Sequence, residues 1–209
     1  MYAKVFLVAF VLSAGLTPLI RLIAGKLGAL DHPKERGMHK NPTPLLGGVA
    51  MYLGFVAAVL ITMDYSLQLK GVLIASTLIF FTGLLDDLFD LRASIKLGVQ
   101  IIACVVLMEH GVVLQVFHYQ SLNVLCTVLG VIGITNSVNF LDNMDGLAAG
   151  LVAVSSFIFF AIAAQTQQHW LGYLAVGLSA SCCGFLLFNF KPAKIFMGDC
   201  GATFAGFTL

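Results

Sequence analysis

The sequence predicts an all-α polytopic integral membrane protein: a helical bundle of about seven complete transmembrane helices plus a truncated eighth, with the N-terminus outside. Three observations carry this. The 209 residues are 59% hydrophobic and only 10% charged, with mean hydropathy +0.98, a composition foreign to soluble globular domains. Apolar runs long enough to cross a bilayer recur from end to end. None of them alternates with period two, which argues against strands and against a membrane barrel. The chain reads as one membrane-embedded domain, residues 1–209. The net charge of +1 is uninformative, and no nucleic-acid partner is expected.

The first run covers about 4–23. Met1-Tyr2-Ala3-Lys4 leads straight into it without a small-residue cleavage site, so it reads as a first span and not as a removable signal peptide. Further apolar segments fall near 45–63, 69–87, 95–110, 121–139, 147–165 and 170–189, and an eighth begins near Ala202. Seven spans alternate the loops between two sides. Arg21, Lys26, Lys34, Arg36, Lys40, Arg92, Lys96, Lys191 and Lys194 fall on one side, and only Lys4 and Lys70 on the other. That bias makes the first side cytoplasmic. The acids follow it, with only Asp64 and Glu109 outside. The five cysteines mostly sit in apolar runs without metal-ligand spacing and read as small buried hydrophobes. His110, His118 and His169 fall in outside loops and are given no role.

Chemistry concentrates at four places on the charged side. The apolar run 71–85 ends in Asp86, Asp87 and Asp90. On a helix Asp86 and Asp90 share a face one turn apart, and Asp87 lies about 100° round from Asp86. Like charges so close call for a cation, and oxygen ligands of this kind suit Mg²⁺; a solvated helix end is the plain alternative. The first charged-side loop contains His39-Lys40-Asn41-Pro42-Thr43-Pro44, then Gly47-Gly48. The prolines hold the chain extended, His39 and Lys40 are placed to touch an anion, and Gly47-Gly48 admits a close backbone approach by a helix or a phosphate. Basic residues here could equally meet anionic lipid head groups.

Asn136, Asn139, Asp142 and Asp145 recur every third residue, one polar edge on a helix. Amides in a membrane segment need hydrogen-bond partners, which suggests a shared polar ligand. Asp145-Gly146 also reads as an N-cap for the following span. Finally, Asp199 stands between Gly198 and Gly201 just before a new apolar helix, where an acid can project at a positive helix end. Lys191 and Lys194 nearby serve equally as positive-inside anchors.

In this order, the acidic run 86–90, the Asn/Asp series 136–145, the PAKIFMGDCG stretch and the HKNPTPLLGG loop resemble the polyprenyl-phosphate N-acetylhexosamine-1-phosphate transferases. That is the membrane family that starts O-antigen (lipopolysaccharide), teichoic-acid and peptidoglycan lipid carriers. The resemblance covers essentially the whole chain. It implies transfer of a sugar-1-phosphate from a UDP-sugar to undecaprenyl phosphate, with release of UMP and a requirement for Mg²⁺, with Mn²⁺ as a substitute. By position, Asp86 and Asp87 match the catalytic acid pair, and Asp199 the main metal ligand, with Asp86 and Asp87 beside it. Asn136, Asn139, Asp142 and Asp145 match the nucleotide-sugar side; Asp90, His39, Lys40, Lys96 and Lys194 join them as substrate-binding candidates. The peptidoglycan branch usually has a basic residue where this chain has Asp90, and a different glycine-rich loop. The chain therefore looks more like the WecA- and TagO-type enzymes, whose donor is UDP-N-acetylglucosamine, with the pentapeptide-bearing muramoyl donor as the alternative. The resemblance also implies a multi-pass protein of the bacterial inner membrane, with its site on the cytoplasmic face and a homodimer as one option.

Carboxylates facing phosphates make electrostatic sense only with a cation between them. The lipid phosphate, with a second pKa of about 6, needs no strong base. Direct in-line attack, aided by Asp86 or Asp87, is the favoured route; a covalent intermediate on one of these aspartates is its rival. A cation-coupled transporter is the rival from another class, but the acids gather at helix ends and no internal repeat is visible. Family members also run on for further spans and a histidine-bearing loop. The expectation is that residues 1–209 are an N-terminal piece that forms much of the cleft without catalysing transfer alone.

Overall fold

A computed structural model describes residues 1–31, 42–63 and 66–209. Among the described residues eight helices follow one another: α1 (Tyr2–Leu27), α2 (Gly47–Thr62), α3 (Leu67–Phe89), α4 (Ala93–Glu109), α5 (Gln120–Leu141), α6 (Leu147–Gln165), α7 (His169–Asn189) and α8 (Gly198–Thr208). Five of them, α1, α3, α5, α6 and α7, are long and apolar enough to cross a membrane. α2 has 16 residues and α4 has 17, about 24 and 26 Å at 1.5 Å per residue, against a hydrocarbon core of about 30 Å. The expected seven complete spans are thus five full-length helices and two short ones. α2 starts only where its glycines dock on another segment, and α4 only after the turn that follows Asp90. One strand pair also departs from the all-helix reading: β1 (Leu30–Asp31) and β2 (Thr43–Pro44) pair antiparallel over two residues each. His39 and Lys40, between the two strands in sequence, lie outside the described part of the chain.

Burial sorts the helices. Only 17% of the α1 and α5 windows is buried, against 67% for α7. α7 is therefore the inner post, and α1 and α6 lean on its sides. α8 is buried from Gly198 to Phe207 apart from Asp199 and packs between α3, α5 and α2. Backbone polar groups at membrane depth must be satisfied within protein, and this placement does so for a helix of 11 residues. Aromatic rings pin it there. Tyr52 of α2 stacks on Phe80 of α3 at 3.9 Å and meets Phe204 of α8 edge-on at 5.5 Å. The Tyr52 hydroxyl lies 2.9 Å from Thr77 Oγ1, so a polar tip inside the bundle is also paired.

Gly47 and Gly48 meet a protein backbone. Their N–H groups donate to the carbonyls of Phe196 (2.9 Å) and Met197 (2.8 Å). A Cβ on Gly48 would fall 2.2 Å from Gly201 of α8. The neighbouring-helix reading of this pair is the one the fold uses. The C-terminal ends of α1, α3, α5 and α7 and the N-terminal ends of α2, α4, α6 and α8 thus share one end of the bundle. A largely apolar cavity of about 390 Å³, lined by Trp170 and Phe207 among others, lies toward the other end, away from the carboxylates.

Candidate active site

α3 delivers two adjacent carboxylates at its last turn, and the helical angle sends them to different neighbours. Asp86 faces α4. Its Oδ1 accepts from the Leu91 N–H at 2.8 Å and its Oδ2 from Lys96 Nζ at 2.7 Å. The chain reaches Leu91 through Asp90, the C-cap of α3, with φ 51. Asp87 faces α8. Its Oδ1 accepts from the Asp199 N–H at 2.7 Å, and its Oδ2 from the Cys200 N–H at 3.0 Å. Those N–H groups open α8 and have no partner inside the helix, so a carboxylate from α3 caps it against its positive end.

Two glycines make this contact possible. Gly198 takes φ 76, and a Cβ there would fall 2.6 Å from Asp87 Oδ2. Gly83, one turn before Asp87, would place a Cβ 2.6 Å from the Asp199 carbonyl oxygen. α8 therefore begins at Gly198, earlier than the Ala202 expected from hydropathy, and Asp199 sits in its first turn and not in the loop before it. The cause is the cap: Asp87 satisfies the extra turn of backbone.

Asp199 completes the cluster. Its Oδ2 accepts from Lys96 Nζ at 3.0 Å, and the Asn139 amide of α5 faces it. Lys96 thus holds Asp86 and Asp199 with one ammonium, and it makes the only ion pairs to these acids among the described residues. Asp142, the C-cap of α5, faces the same group. Burial first, and then the Asp199 and Asp87 carboxylates, push its pKa well above the ordinary carboxyl range.

Other candidates play different parts. Asn136 pairs reciprocally with Gln100 of α4: Asn136 Nδ2 donates to Gln100 Oε1 (2.8 Å) and Gln100 Nε2 to Asn136 Oδ1 (3.3 Å). The pair is an amide clasp between helices. Gln100, one turn beyond Lys96 and 4% exposed, went unread in the sequence, although an amide inside an apolar run was its signal. Asp145 Oδ2 accepts from the Ala193 N–H at 3.1 Å, tying the α5–α6 turn to the α7–α8 loop; the N-cap of α6 is Gly146. Asn189, also unread, supports the same loop by accepting from the Gly146 N–H and donating to the Ile195 carbonyl, each at 3.0 Å. Asp90 and Lys194 are exposed and stand outside the Asp86–Lys96–Asp199 group.

Among the described residues no three His, Cys, Asp or Glu side chains gather into a ready metal cage. The donor set still fits a hard cation. Asp86 and Asp199 already converge on one positive charge, and Mg²⁺ characteristically takes one or two carboxylates, completing its shell with water and substrate phosphate. Asp87 fits less well, since the α8 backbone occupies both its oxygens.

Comparison with known proteins identifies the family. The glycosyl transferase family 4 model matches residues 69–209, a stretch that holds every member of the carboxylate cluster. The chain is 33% identical, over 98% of its length, to a probable undecaprenyl-phosphate N-acetylglucosaminyl 1-phosphate transferase of Bacillus subtilis, of which it covers 60%. It is 35% identical, over 99% of its length, to the decaprenyl-phosphate N-acetylglucosaminephosphotransferase of Mycobacterium leprae, of which it covers 59%. A phospho-N-acetylmuramoyl-pentapeptide-transferase of Desulforudis audaxviator is 32% identical over 96% of the chain, with 71% of that relative covered. The chain thus spans about three fifths of the length of the first two relatives. With a family model over most of its length and these relatives across nearly all of it, the chain belongs to glycosyl transferase family 4.

Proposed function

We propose that the protein is an enzyme that transfers N-acetylglucosamine-1-phosphate from UDP-N-acetylglucosamine to undecaprenyl phosphate at the cytoplasmic face of a bacterial inner membrane. The observation that carries this reading is the meeting of Asp86 from α3, Lys96 from α4, Asn139 from α5 and Asp199 from α8 at one end of a membrane bundle. A site with both signs of charge at a membrane boundary suits two substrates of which one is lipid and both carry phosphate. In the reaction, an oxygen of the lipid phosphate forms a bond to the sugar-bearing phosphorus of the donor, and the bond from that phosphorus to UMP breaks. Mg²⁺ held by Asp199 and Asp86 would supply the charge that neutralises the diphosphate and the departing UMP.

The chain's own groups divide the remaining work. Asp87 fixes the start of α8 and so the direction of Asp199. Both oxygens of each aspartate accept hydrogen bonds, but one partner of Asp86 is the Lys96 side chain and not backbone, so Asp86 is assigned to orient the lipid phosphate, and a residual proton goes to either aspartate. The backbone engagement of both its oxygens disfavours a covalent intermediate on Asp87. Asn139 and Asp142 line the α5 side, where the nucleotide sugar is assigned. The pentapeptide-bearing muramoyl donor is the second reading, supported by the Desulforudis relative. Membranes containing the protein, given undecaprenyl phosphate and radiolabelled UDP-N-acetylglucosamine, are expected to form labelled lipid and UMP. Labelled lipid from the muramoyl-pentapeptide donor alone would favour the second reading, and no transfer from either donor would overturn the assignment.

A further inference from the structure

Lys96 occupies the place where a metal would have to sit. Its Nζ lies 2.7 Å from Asp86 Oδ2 and 3.0 Å from Asp199 Oδ2, so one ammonium is shared by the two carboxylates with the best claim to a divalent ion. The other acids offer no replacement pair. Asp87 is committed to two backbone N–H groups, and Asp142 is a half-buried carboxyl facing other acids. A hard cation that bridges these two oxygens, about 2.1 Å from each, takes the point between them that the ammonium now holds. Lys96 also has somewhere to go. Its side chain is 27% exposed, and it sits in the first turn of α4 on a flexible four-carbon stem.

We propose that Lys96 is a cation-exchange residue: it neutralises Asp86 and Asp199 while the metal is absent, is expelled when a divalent cation binds, and is thereby turned out into the cleft as an anion-binding group for the incoming diphosphate. The arrangement keeps two converging carboxylates from repelling each other in the empty site. It also couples metal loading to the appearance of a free positive charge where phosphate arrives. This inference rests on the metal assignment to Asp86 and Asp199, and the experiment separates the two.

Mn²⁺ binding to the purified protein is measured by electron paramagnetic resonance for the wild type, Lys96→Met, Lys96→Arg and Asp199→Asn. Charged hydrogen bonds of this kind set the scale of the competition, so Lys96→Met is expected to bind Mn²⁺ about ten- to a hundredfold more tightly than the wild type. Lys96→Arg, which keeps a competing cation, is expected to bind no more tightly than the wild type. On the wild type itself, adding Mn²⁺ or Mg²⁺ is expected to speed acylation of Lys96 by a water-soluble reagent, read by peptide mass spectrometry. That second readout does not depend on any variant folding. Binding that needs Asp199 but is unchanged or weakened in Lys96→Met, or Lys96 reactivity indifferent to the cation, overturns the exchange and leaves the metal assignment standing. No Mn²⁺ binding by the wild type or by Lys96→Met overturns both.

Discussion

At Asp87 both carboxylate oxygens accept backbone N–H groups of α8, so a substitution there acts on a helix before it acts on any ligand. Asp87→Asn replaces one acceptor with an amide donor that faces an N–H, and is expected to cost about 1–3 kcal/mol of stability together with most of the transfer activity. Asp199→Asn loses only a part-exposed pairing with Lys96, worth at most about 1 kcal/mol, and Asp86→Asn keeps one oxygen to accept the Leu91 N–H. They should lose turnover with little change in unfolding. Thermal unfolding in detergent beside a transfer assay separates the two patterns; a wild-type melting curve for Asp87→Asn would remove its capping role. Asp142 gives a pH signature. Its folded-state pKa lies well above the ordinary 3.8, so the folded protein binds more protons than the unfolded chain between those values. Asp142's contribution to stability is therefore fullest below 3.8 and is lost as pH rises through the folded value. Asp142→Asn should flatten that decline, and chelated wild type and variant melted across pH would reveal it. Sequence alone presented Asp86 and Asp87 as an equivalent pair. The distinction between them is set by residues 5 and 112 positions away, Leu91 and Asp199, and no local window holds both.

At the scale of elements, α8 is the piece that sequence read least well. Hydropathy places its start near Ala202, because Gly198-Asp199-Cys200-Gly201 looks like loop; the structure starts it at Gly198 because α3 caps it. The close fit is testable at Gly83. A Cβ there would lie 2.6 Å from the backbone of both Asp199 and Cys200, and neither backbone atom can rotate away. Gly83→Val should force α3 and α8 apart, costing about 1–3 kcal/mol and most of the transfer activity. Gly15 of α1 has nothing within 4 Å of its added Cβ, so Gly15→Ala is the matching control and should be silent. Equal behaviour of the two variants would mean that the α3–α8 contact does not govern the site. The long helices, in contrast, were legible in sequence. Their boundaries came from length and hydropathy, which act locally, and α6 and α7 start within one residue of where the apolar runs placed them.

For the whole molecule, sidedness follows from charge. By sequence position nine of the eleven basic residues fall on the side that carries Asp86, Lys96 and Asp199, a positive-inside bias that supports the proposed cytoplasmic orientation. Asp90→Cys and Val116→Cys mark the two ends; both positions are exposed. A membrane-impermeant maleimide should label the first only in inverted vesicles and the second only in right-side-out vesicles, and the reverse pattern would turn the protein over. The number of apolar segments was readable from sequence because it is a sum over many residues, but their lengths were not, since α2 and α4 fall short of a full span. The partners of Asn136 and Asp145 were not, because Gln100 and the Ala193 N–H reach them from other helices and loops.

The burial of α8 has one more consequence, in the order of manufacture. A ribosome makes α2, α3 and α5 before residues 198–208 exist, and those three helices enclose the slot that α8 later fills. Until then Asp87 faces no backbone donors and Asp86 lacks the acid with which it shares Lys96. The nascent chain therefore enters the membrane without the Asp86–Lys96–Asp199 group, which comes together only once the eighth helix is in place.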